Sequence, residues 1–239
     1  MLRIKNLSKK FGTFTAVDNI NLKILKGDLY GFLGENGAGK TTTMKVIAGL
    51  YSPTSGKVLI DNIDIQSDPV TAKLNIGYIP DQPFLYDKLT GREFLYFSGG
   101  LYNLTRKNIN DKIKEVVDIL QIGSWIDKKT EEYSQGMKQR ITIASAILHD
   151  PKLIILDEPM IGLDPQSALI VKNLLRKKAS EGAAVFMSTH SLPVAEELCN
   201  RIGIIKNGRI IFEDNRDAVE MLKSNINSSF ESLFLELTR

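Results

Sequence analysis

The residues best suited to chemistry form a glycine-rich loop that directly follows an apolar run, Leu29–Leu33. Glycines let successive backbone N–H groups turn toward a phosphate with no Cβ in the way, and the helix predicted from Thr41 onward favours an anion at its start. In this pattern Lys40 reaches the β- and γ-phosphates of a nucleotide, and the Thr41 hydroxyl ligates Mg²⁺. The sequence therefore predicts a nucleoside triphosphate site at Gly34, Glu35, Asn36, Gly37, Ala38, Gly39, Lys40, Thr41 and Thr42.

Two adjacent carboxylates, Asp157 and Glu158, follow a second apolar run at residues 153–156. Ligands of open α/β sheets bind beyond the carboxyl ends of the parallel strands, so we expect this pair and the phosphate loop at one edge. There Asp157 would belong to the Mg²⁺ shell, and Glu158 would orient and polarise the attacking water. A solvent-facing acidic pair at a strand end is the alternative interpretation.

Two more polar residues, Gln82 and His190, also follow strand-like runs, the second of which ends at Met187. A glutamine in a loop means nothing alone, and a histidine at a strand end is more often structural than catalytic. Phosphate chemistry at the neighbouring strand ends favours a role for His190, because a neutral imidazole accepts a hydrogen bond and a protonated one can meet a phosphate. His149, at the end of a predicted helix, is interpreted as a cap or surface residue.

Two kinds of strand are visible in the hydropathy pattern. Some segments alternate apolar with polar residues, which is typical of an antiparallel sheet with one face in water. These alternating segments are residues 2–5, 19–24 and 57–60. The runs that end at Leu33, Leu156 and Met187 are apolar throughout. Strands of that kind are buried on both faces, so we predict an α/β core with a parallel sheet covered by helices.

From Thr90 to His149 the pattern is helical. Apolar residues recur at the spacing of one helix face, at Ile109, Ile113, Val116, Val117 and Leu120. Thr90, with Glu93 three residues later, predicts a helix start. We predict a single domain over residues 1–239. Its parts are an α/β core with the antiparallel strands (1–82 and 150–213), a helical insertion (83–149) and an amphipathic appendage (214–239).

Composition limits the class of protein. The chain has 239 residues, 43% hydrophobic and 25% charged residues and a net charge of +3, as in ordinary globular proteins. The basic residues are spread out, so we expect no nucleic-acid partner. One cysteine, Cys199, excludes an intrachain disulfide. We see no signal peptide and no apolar run long enough to span a bilayer, which predicts a cytoplasmic protein whose membrane role would need a partner.

The deciding segment is residues 133–140, Tyr-Ser-Gln-Gly-Met-Lys-Gln-Arg, directly before a predicted helix. With this segment the sequence resembles the ATP-binding cassette family, the nucleotide-binding domain of ABC transporters, whose signature is typically Leu-Ser-Gly-Gly-Gln, a basic residue, Gln and Arg. The serine hydroxyl, glycine backbone and helix N-terminus that suit a γ-phosphate are kept. The signature is kept at Ser134, Gly136, Lys138, Gln139 and Arg140. It departs at Tyr133, Gln135 and Met137, which leaves the effect on affinity and ATPase rate open.

The resemblance covers essentially the whole chain and implies a P-loop NTPase (RecA-like) core with an N-terminal antiparallel β-subdomain and an inserted α-helical subdomain. It implies that Phe11 stacks on adenine, although a buried strand-end Phe is the rival interpretation. It also implies that Gln82 senses the γ-phosphate and shares in the Mg²⁺ shell, partly through water, and that His190 is the switch histidine. The family's loop after the Asp-Glu strand corresponds to Gly162, Leu163 and Asp164, with Ile161 where Ser is usual.

The family's mechanism explains why the signature is distant from the phosphate loop along the chain. Two such domains close head to tail around two ATP molecules, and the signature acts in trans. The residues implied in trans are Ser134, Gln135, Gly136 and Met137. Lys40, Gln82, Glu158 and His190 are the implied catalytic residues, with ATP and Mg²⁺ as cofactors. Hydrolysis then removes the γ-phosphate that bridges the interface.

The resemblance implies a peripheral ATPase subunit at the inner face of the cell membrane, bound to an integral membrane permease. Residues 84–86, Phe-Leu-Tyr, are predicted to line a groove for a short permease helix, with core packing as an equal alternative. The signature variant and the ending at residues 230–238 favour a bacterial exporter of the ABC-2 type. A soluble, non-transport ABC ATPase in iron–sulfur assembly or regulation is the alternative. The sequence leaves open the cargo, the direction of transport, and homodimer versus heterodimer.

Overall fold

The computed structural model describes residues 1–215 and 230–238. The strands are β1 (Leu2–Phe11), β2 (Phe14–Ile24), β3 (Leu29–Leu33), β4 (Ser55–Ile60), β5 (Ile63–Asp64), β6 (Ile76–Ile79), β7 (Leu153–Asp157), β8 (Ala184–Thr189), β9 (Arg201–Lys206) and β10 (Arg209–Asn215). The helices are α1 (Lys40–Ile47), α2 (Pro69–Lys73), α3 (Gly91–Leu101), α4 (Arg106–Leu120), a 3₁₀ turn (Thr130–Glu132), α5 (Gln135–Ile147), α6 (Pro165–Ser180), α7 (Leu192–Leu198) and α8 (Phe230–Thr238).

A six-stranded sheet forms the centre of the core, in the order β10-β9-β3-β8-β7-β6. All neighbours in it are parallel except β10, which is antiparallel to β9. The three predicted apolar runs are its central strands β3, β7 and β8, buried on both faces as expected. One bound of the prediction was wrong: β8 does not end at Met187 but continues through Ser188 to Thr189, because Ser188 pairs with Asp157 at the end of β7.

The alternating segments near the N-terminus form a separate four-stranded antiparallel sheet, in the order β2-β1-β4-β5, as predicted. Leu2 pairs with Ile24 on one side and with Ile60 on the other, and all three side chains are buried. Their inward rows belong to a hydrophobic core that also takes in Phe32 and Met44 from β3 and α1. The antiparallel sheet therefore packs directly against the elements that carry the phosphate loop.

The predicted helical stretch contains α3, α4 and α5. Thr90 caps α3 with the expected capping box, since its side chain accepts from the Glu93 N–H and the Glu93 carboxylate accepts from the Thr90 N–H. The α4 face predicted to be apolar is buried, with the exception of the half-buried Val117. These helices share one continuous core with the sheet residues Ile154 and Leu156, so the helical insertion is packed onto the sheet.

His149 has a different environment from the one the sequence suggested. Its ring stacks on Tyr102 with centroids 3.5 Å apart, and its Nε2 lies 3.0 Å from the carbonyl oxygen of Ile76 at the start of β6. Burial in this contact lowers the pKa of His149 to about 4. The interpretation as a cap or surface residue was therefore wrong, because the side chain joins the end of α5 to the sheet.

The predicted C-terminal appendage lies partly outside the described residues. Its described part is the end of β10 and helix α8. Phe230, at the start of α8, is buried in the same core as the sheet and the helical insertion. Among residues 1–215 and 230–238, no helix is both long and apolar enough to cross a bilayer.

Candidate nucleotide-binding site

Four predicted site segments follow four adjacent parallel strands. The phosphate loop follows β3, the Asp157–Glu158 pair ends β7, His190 follows β8, and Gln82 follows β6 by three residues. The strand order β3-β8-β7-β6 makes them neighbours, and parallel strands end at the same edge of a sheet. The fold therefore brings together residues that are up to 156 positions apart in the chain, at the edge where open α/β sheets bind ligands.

The backbone of the phosphate loop requires glycine at two positions. Gly37 has φ of +81° and Gly39 has φ of +111°, conformations that other residues rarely adopt. At Gly39 a Cβ would also lie 2.5 Å from the carbonyl oxygen of Ala16, whereas a Cβ at Gly37 would meet no atom within 4 Å. The loop is thus pressed against the β2 backbone on one side and open on the other, which suits a phosphate cradle leading into α1.

Lys40 is held inside the loop that it follows. Its Nζ donates to the carbonyl oxygens of Gly34 at 2.6 Å and Glu35 at 3.0 Å, and the residue is 7% exposed. Burial lowers the pKa of this amine, while the nearby carboxylates of Glu158 and Asp157 act in the opposite direction. The ammonium is therefore fixed at the centre of the site, where its hydrogen bonds to the loop are available for exchange with phosphate oxygens.

Asp157 is fully buried, and only one of its two carboxylate oxygens accepts a hydrogen bond. Its Oδ1 accepts a hydrogen bond from the Ser188 hydroxyl, while its Oδ2 is buried with no hydrogen-bond partner. Burial raises the pKa of Asp157, and the Ser188 hydrogen bond and the nearby Thr41 hydroxyl partly oppose that shift. A buried unpaired carboxylate oxygen is costly and rare in native structures, which marks this atom as a site for a cation or another donor.

Glu158 lies in the bend that follows β7. Its backbone has a positive φ of 51°, uncommon for a residue other than glycine, and its N–H donates to the Ser188 hydroxyl at 3.1 Å. Its carboxylate Oε1 lies 3.0 Å from Nδ1 of His190, with the Glu158 side chain 15% exposed and the His190 side chain 59% exposed. Two of the four predicted catalytic side chains are therefore in direct contact at the mouth of the site.

The residues at this edge fit Mg²⁺ bound together with a nucleotide. In the described ranges, no group of three or more His, Cys, Asp or Glu residues could enclose a metal ion. Mg²⁺ does not need such a cage, because it is usually held by one or two carboxylates, substrate phosphates and water. The unpaired Oδ2 of Asp157 supplies the carboxylate oxygen that this mode requires.

Phe11 and Gln82 both have exposed side chains. Phe11 ends β1 and is 44% exposed, so the rival interpretation of a buried strand-end Phe was wrong. Its ring meets Tyr51 edge to face at 5.6 Å, and the ammonium of Lys9 lies 4.9 Å from its centroid. One face of an aromatic ring at this position can stack on a base. Gln82 is exposed in the loop after β6, and its predicted role stays a prediction.

The signature segment forms the tip of α5. Ser134 is the N-cap, and its Oγ accepts from the Met137 N–H at 3.3 Å. Ser134 and Gln135 are exposed, and Gly136 and Met137 are half-buried. In the portion of the chain that the structure describes, no hydrogen bond or ion pair joins residues 134–137 to the phosphate loop. The helix N-terminus is thus presented at a surface, away from the polar contacts of the other motifs.

The signature does contact the loop after β7 in its own chain. A Cβ at Gly136 would lie 3.3 Å from the carbonyl oxygen of Gly162, and Gln139, buried in α5, donates to the carbonyl oxygen of Pro159 at 3.2 Å. Asp164 caps α6, since its side chain accepts from the Ser167 N–H at 2.9 Å. The predicted loop of Gly162, Leu163 and Asp164 therefore lies between the Glu158 bend and the signature.

Two residues with distinct contacts were missed or misjudged by sequence reasoning. Ser188 had no predicted role, although it bridges Asp157 and Glu158. Tyr133 was treated as a departure from the signature, although its buried hydroxyl accepts from the Gly91 N–H and lies 3.2 Å from the carbonyl oxygens of Trp125 and Ile126. A polar residue at the end of an otherwise apolar run was the available signal for Ser188.

Comparisons with known proteins agree with this geometry. A family model described as ABC transporter matches residues 17–161. The Linearmycin resistance ATP-binding protein LnrL of Bacillus subtilis (strain 168) is 37% identical over 211 residues, which are 88% of this chain and 68% of that protein. The SkfA peptide export ATP-binding protein SkfE of the same strain is 34% identical over 213 residues, 88% of this chain and 87% of that protein.

A solved structure is similar over most of its length. It is the dimeric structure of the ATP-binding cassette MJ0796 in a post-hydrolysis state bound to ADP and Pi. The TM-score is 0.82 at 28% sequence identity, and the match covers 90% of this chain and 99% of that one. The family match over more than half of the sequence and the strand-end site agree on one conclusion: the chain belongs to the ABC transporter family and is an ATP hydrolase of that family.

Proposed function

We propose that this chain is the ATP-hydrolysing subunit of a membrane exporter, and that it closes head to tail with a second copy or a paralogue around ATP. The observation that carries the proposal is the division of the site: the phosphate loop, Asp157, Glu158 and His190 share one sheet edge, whereas the signature is an exposed helix tip. A two-fold axis brings each helix tip onto the nucleotide of the other copy. The dimeric, ADP- and Pi-bound cassette supports this arrangement.

In this dimer the chain's own residues bind the triphosphate before any chemistry. Lys40 exchanges its bonds to the Gly34 and Glu35 carbonyls for β- and γ-phosphate oxygens. Thr41, Asp157 and Gln82 would hold Mg²⁺, partly through water, and the ion would neutralise phosphate charge. Across the interface the Ser134 hydroxyl, the backbone of residues 135–137 and the start of α5 face the γ-phosphate.

Hydrolysis needs a base next to the attacking water. Glu158 has the position for it, because its carboxylate is mostly buried beside the predicted phosphate site and His190 holds one of its oxygens. Through its contact with Glu158, His190 also responds to whether the γ-phosphate is present. Phe11 stacks on the adenine base with the ring face that is open to solvent. Loss of the γ-phosphate removes the bridge between the two copies, so the dimer opens.

The membrane partner docks on an exposed apolar patch beside the Gln82 loop. The patch consists of Phe84, Tyr86, Phe97 and Leu101, which are 73%, 46%, 44% and 65% exposed. Tyr86 contacts Phe84 and Phe97 edge to face at 5.7 and 5.4 Å, so the exposed rings form one surface. The neighbouring Leu85 is buried, so core packing holds for that residue, whereas Phe84 and Tyr86 are exposed and their groove for a permease helix stays a prediction. A short amphipathic helix of a permease at the inner membrane face fits such a surface.

The test is a detergent pull-down from the native host with tagged Glu158→Gln, ATP and Mg²⁺. This variant keeps nucleotide binding but should lose turnover about 100-fold or more, since a general base contributes on that scale. It should therefore accumulate as an ATP-bound dimer, seen by size-exclusion chromatography, with a polytopic membrane protein attached. Phe84→Ser with Phe97→Ser should lose the membrane protein but keep the ATP-dependent dimer, whereas Val70→Ser, exposed on α2, should keep both.

Each contrary outcome removes a named part of the proposal. Normal hydrolysis by Glu158→Gln contradicts the assignment of the base. A monomer in the presence of ATP contradicts the divided site. Capture of soluble proteins alone points to the non-transport ABC ATPases, and transport assays with vesicles that contain the captured permease decide between export and import.

A further inference from the structure

We propose that Ser188 is a positioning residue for ATP hydrolysis, whose hydroxyl holds Glu158 in the backbone conformation that presents its carboxylate to the attacking water. The inference rests on the proposed function, because it takes Glu158 as the general base. It assigns to Ser188 no contact with nucleotide. The effect of Ser188 on the rate comes through Glu158, whose N–H it binds.

The hydroxyl of Ser188 makes two bonds with fixed directions. Ser188 is fully buried at the end of β8 and is paired with Asp157 across the parallel ladder. Its proton is donated to Oδ1 of Asp157, because a carboxylate only accepts, and its oxygen then accepts the N–H of Glu158 at 3.1 Å. One hydroxyl thus joins the last residue of β7 to the first residue of the bend after it.

Glu158 needs such support because its backbone has a positive φ of 51°. A positive φ at a residue other than glycine costs free energy and persists only where neighbouring contacts determine it. The following residue, Pro159, has no N–H to donate and disfavours right-handed α conformation at Glu158. The N–H of Glu158 is bound by Ser188, and its carbonyl oxygen accepts from the Ile161 N–H at 3.2 Å. The Ser188 bond therefore fixes the amide end of the bend.

The neighbouring hydroxyl on β8 serves a different purpose. Thr189 is also buried, but its Oγ1 accepts from the Ser191 N–H at 3.0 Å and so stabilises the turn at the start of α7. Ser188 is the β8 hydroxyl whose two hydrogen-bond partners are the predicted metal ligand and the predicted base. This difference separates a positioning role from a general contribution to the fold.

The test compares side chains at position 188 in the full-length protein. Ser188→Ala should lower kcat for ATP about 10- to 100-fold, the scale expected when a reacting group is misplaced by a fraction of an ångström to 1 Å. KM, and the Kd for ATP measured without turnover, should stay within about twofold of wild type, since Ser188 does not touch nucleotide. Ser188→Thr keeps the hydroxyl and should recover most of the rate. Ser145→Ala, which removes a hydroxyl bonded within α5, is the matched control and should keep the wild-type rate.

A second comparison keeps the test decisive if Ser188→Ala does not fold. Ser188→Thr and Ser188→Val have nearly equal volume and differ in the hydroxyl, so the Val variant should be the slower one by the same factor. In single-turnover measurements, Ser188→Ala added to Glu158→Gln should slow the residual reaction less than about twofold, because the group it positions is already absent.

The outcomes separate this inference from the proposed function. A wild-type rate in Ser188→Ala, equal rates in the Thr and Val variants, or full additivity with Glu158→Gln overturns the role of Ser188 and leaves the proposed function intact. A loss of ATP affinity that matches the loss of rate means a structural role and also overturns it. Normal turnover in Glu158→Gln overturns the proposed function itself.

Discussion

The two sides of the predicted ATP site are built differently. The phosphate-loop side rests on strand ends: Lys40, Asp157 and Ser188 are at most 7% exposed, and they hydrogen-bond to the loop or to one another. The signature side is a helix tip whose Ser134 and Gln135 are exposed, and the Ser134 hydroxyl bonds within its own turn. One side is preorganised within a single chain, and the other is an exposed helix tip, which in the proposed dimer faces the nucleotide of the second copy.

The two sides are stabilised by different contacts. On the strand-end side, Asp157 and Ser188 are fixed by the ladder of the central sheet, since they pair across β7 and β8. The signature side depends on the anchoring of α5. Tyr133 ties its start to α3, Gln139 ties its first turn to Pro159, and His149 follows its end and lies against β6. A defect on the first side should therefore affect nucleotide binding by one copy, and a defect on the second should affect the dimer or the attachment of α5.

The largest effect is expected from Lys40→Ala. The variant loses the ammonium at the centre of the phosphate loop, and charge-assisted hydrogen bonds of this kind contribute about 1.5–3 kcal/mol each. We expect ATP affinity of the isolated chain to fall about 100-fold or more, measured with a fluorescent ATP analogue. Lys57→Ala, on the exposed face of β4, is the control and should bind normally. Unchanged affinity in Lys40→Ala would contradict the phosphate-loop assignment.

A mixing experiment tests whether the two sides come from different copies. Gly136→Asp places a negative charge at the helix tip, where it should repel a γ-phosphate from the partner copy while leaving ATP binding by one copy intact. Gly136→Asp and Lys40→Ala should each be nearly inactive alone. Mixed in equal amounts they should regain up to about a quarter of the wild-type ATPase rate, because half of the two-fold dimers are mixed and each has one intact site.

The absence of recovery in that mixture would mean that the phosphate loop and signature of one site belong to the same chain. The control is Gly136→Asp alone at the same total concentration, which should stay inactive. Nucleotide binding by Gly136→Asp, measured below the concentration at which dimers form, separates a trans defect from misfolding.

The strand-end side could be predicted from sequence far better than the anchors of the signature side. Apolar runs that end in polar residues locate the phosphate loop, Asp157 and Glu158, because their burial and their chemistry are local in the chain. The contact of His149 with Tyr102 and Ile76 depends on how the helical insertion sits on the sheet, which no local pattern encodes. The partners of the Tyr133 hydroxyl are likewise distant in sequence, up to 42 positions for Gly91.

Acid should weaken the attachment of α5 through His149. Its pKa is lowered to about 4 in the folded protein, from an ordinary value of about 6.5, because burial disfavours the charged ring. Between these values the unfolded chain binds a proton that the folded chain does not. The contribution of His149 is therefore complete above about pH 6.5 and is lost as the pH falls toward 4, with a slope of at most about 1.4 kcal/mol per pH unit.

Urea unfolding of wild type and His149→Gln at pH 7.5 and pH 5 measures this contribution. Other carboxylates titrate in the same range, so the comparison between the two proteins isolates His149. The wild type should lose more stability between the two pH values than the variant does. Equal losses would mean that the ring is charged or exposed in the folded protein and that α5 is not anchored there.

An effect on stability alone is expected from Tyr133→Phe, which removes one hydroxyl and keeps the buried ring beside Trp125. The Gly91 N–H, in the first turn of α3, then loses its partner, and an unsatisfied buried donor costs about 1–3 kcal/mol. We expect the free energy of unfolding to fall by that amount, while ATP affinity of the isolated chain stays unchanged because no strand-end residue is altered. Tyr51→Phe, at an exposed ring, is the control. A loss of ATP affinity in Tyr133→Phe would show that the two sides are coupled within one chain, and the contrast between a preorganised side and an independently anchored one would then fail.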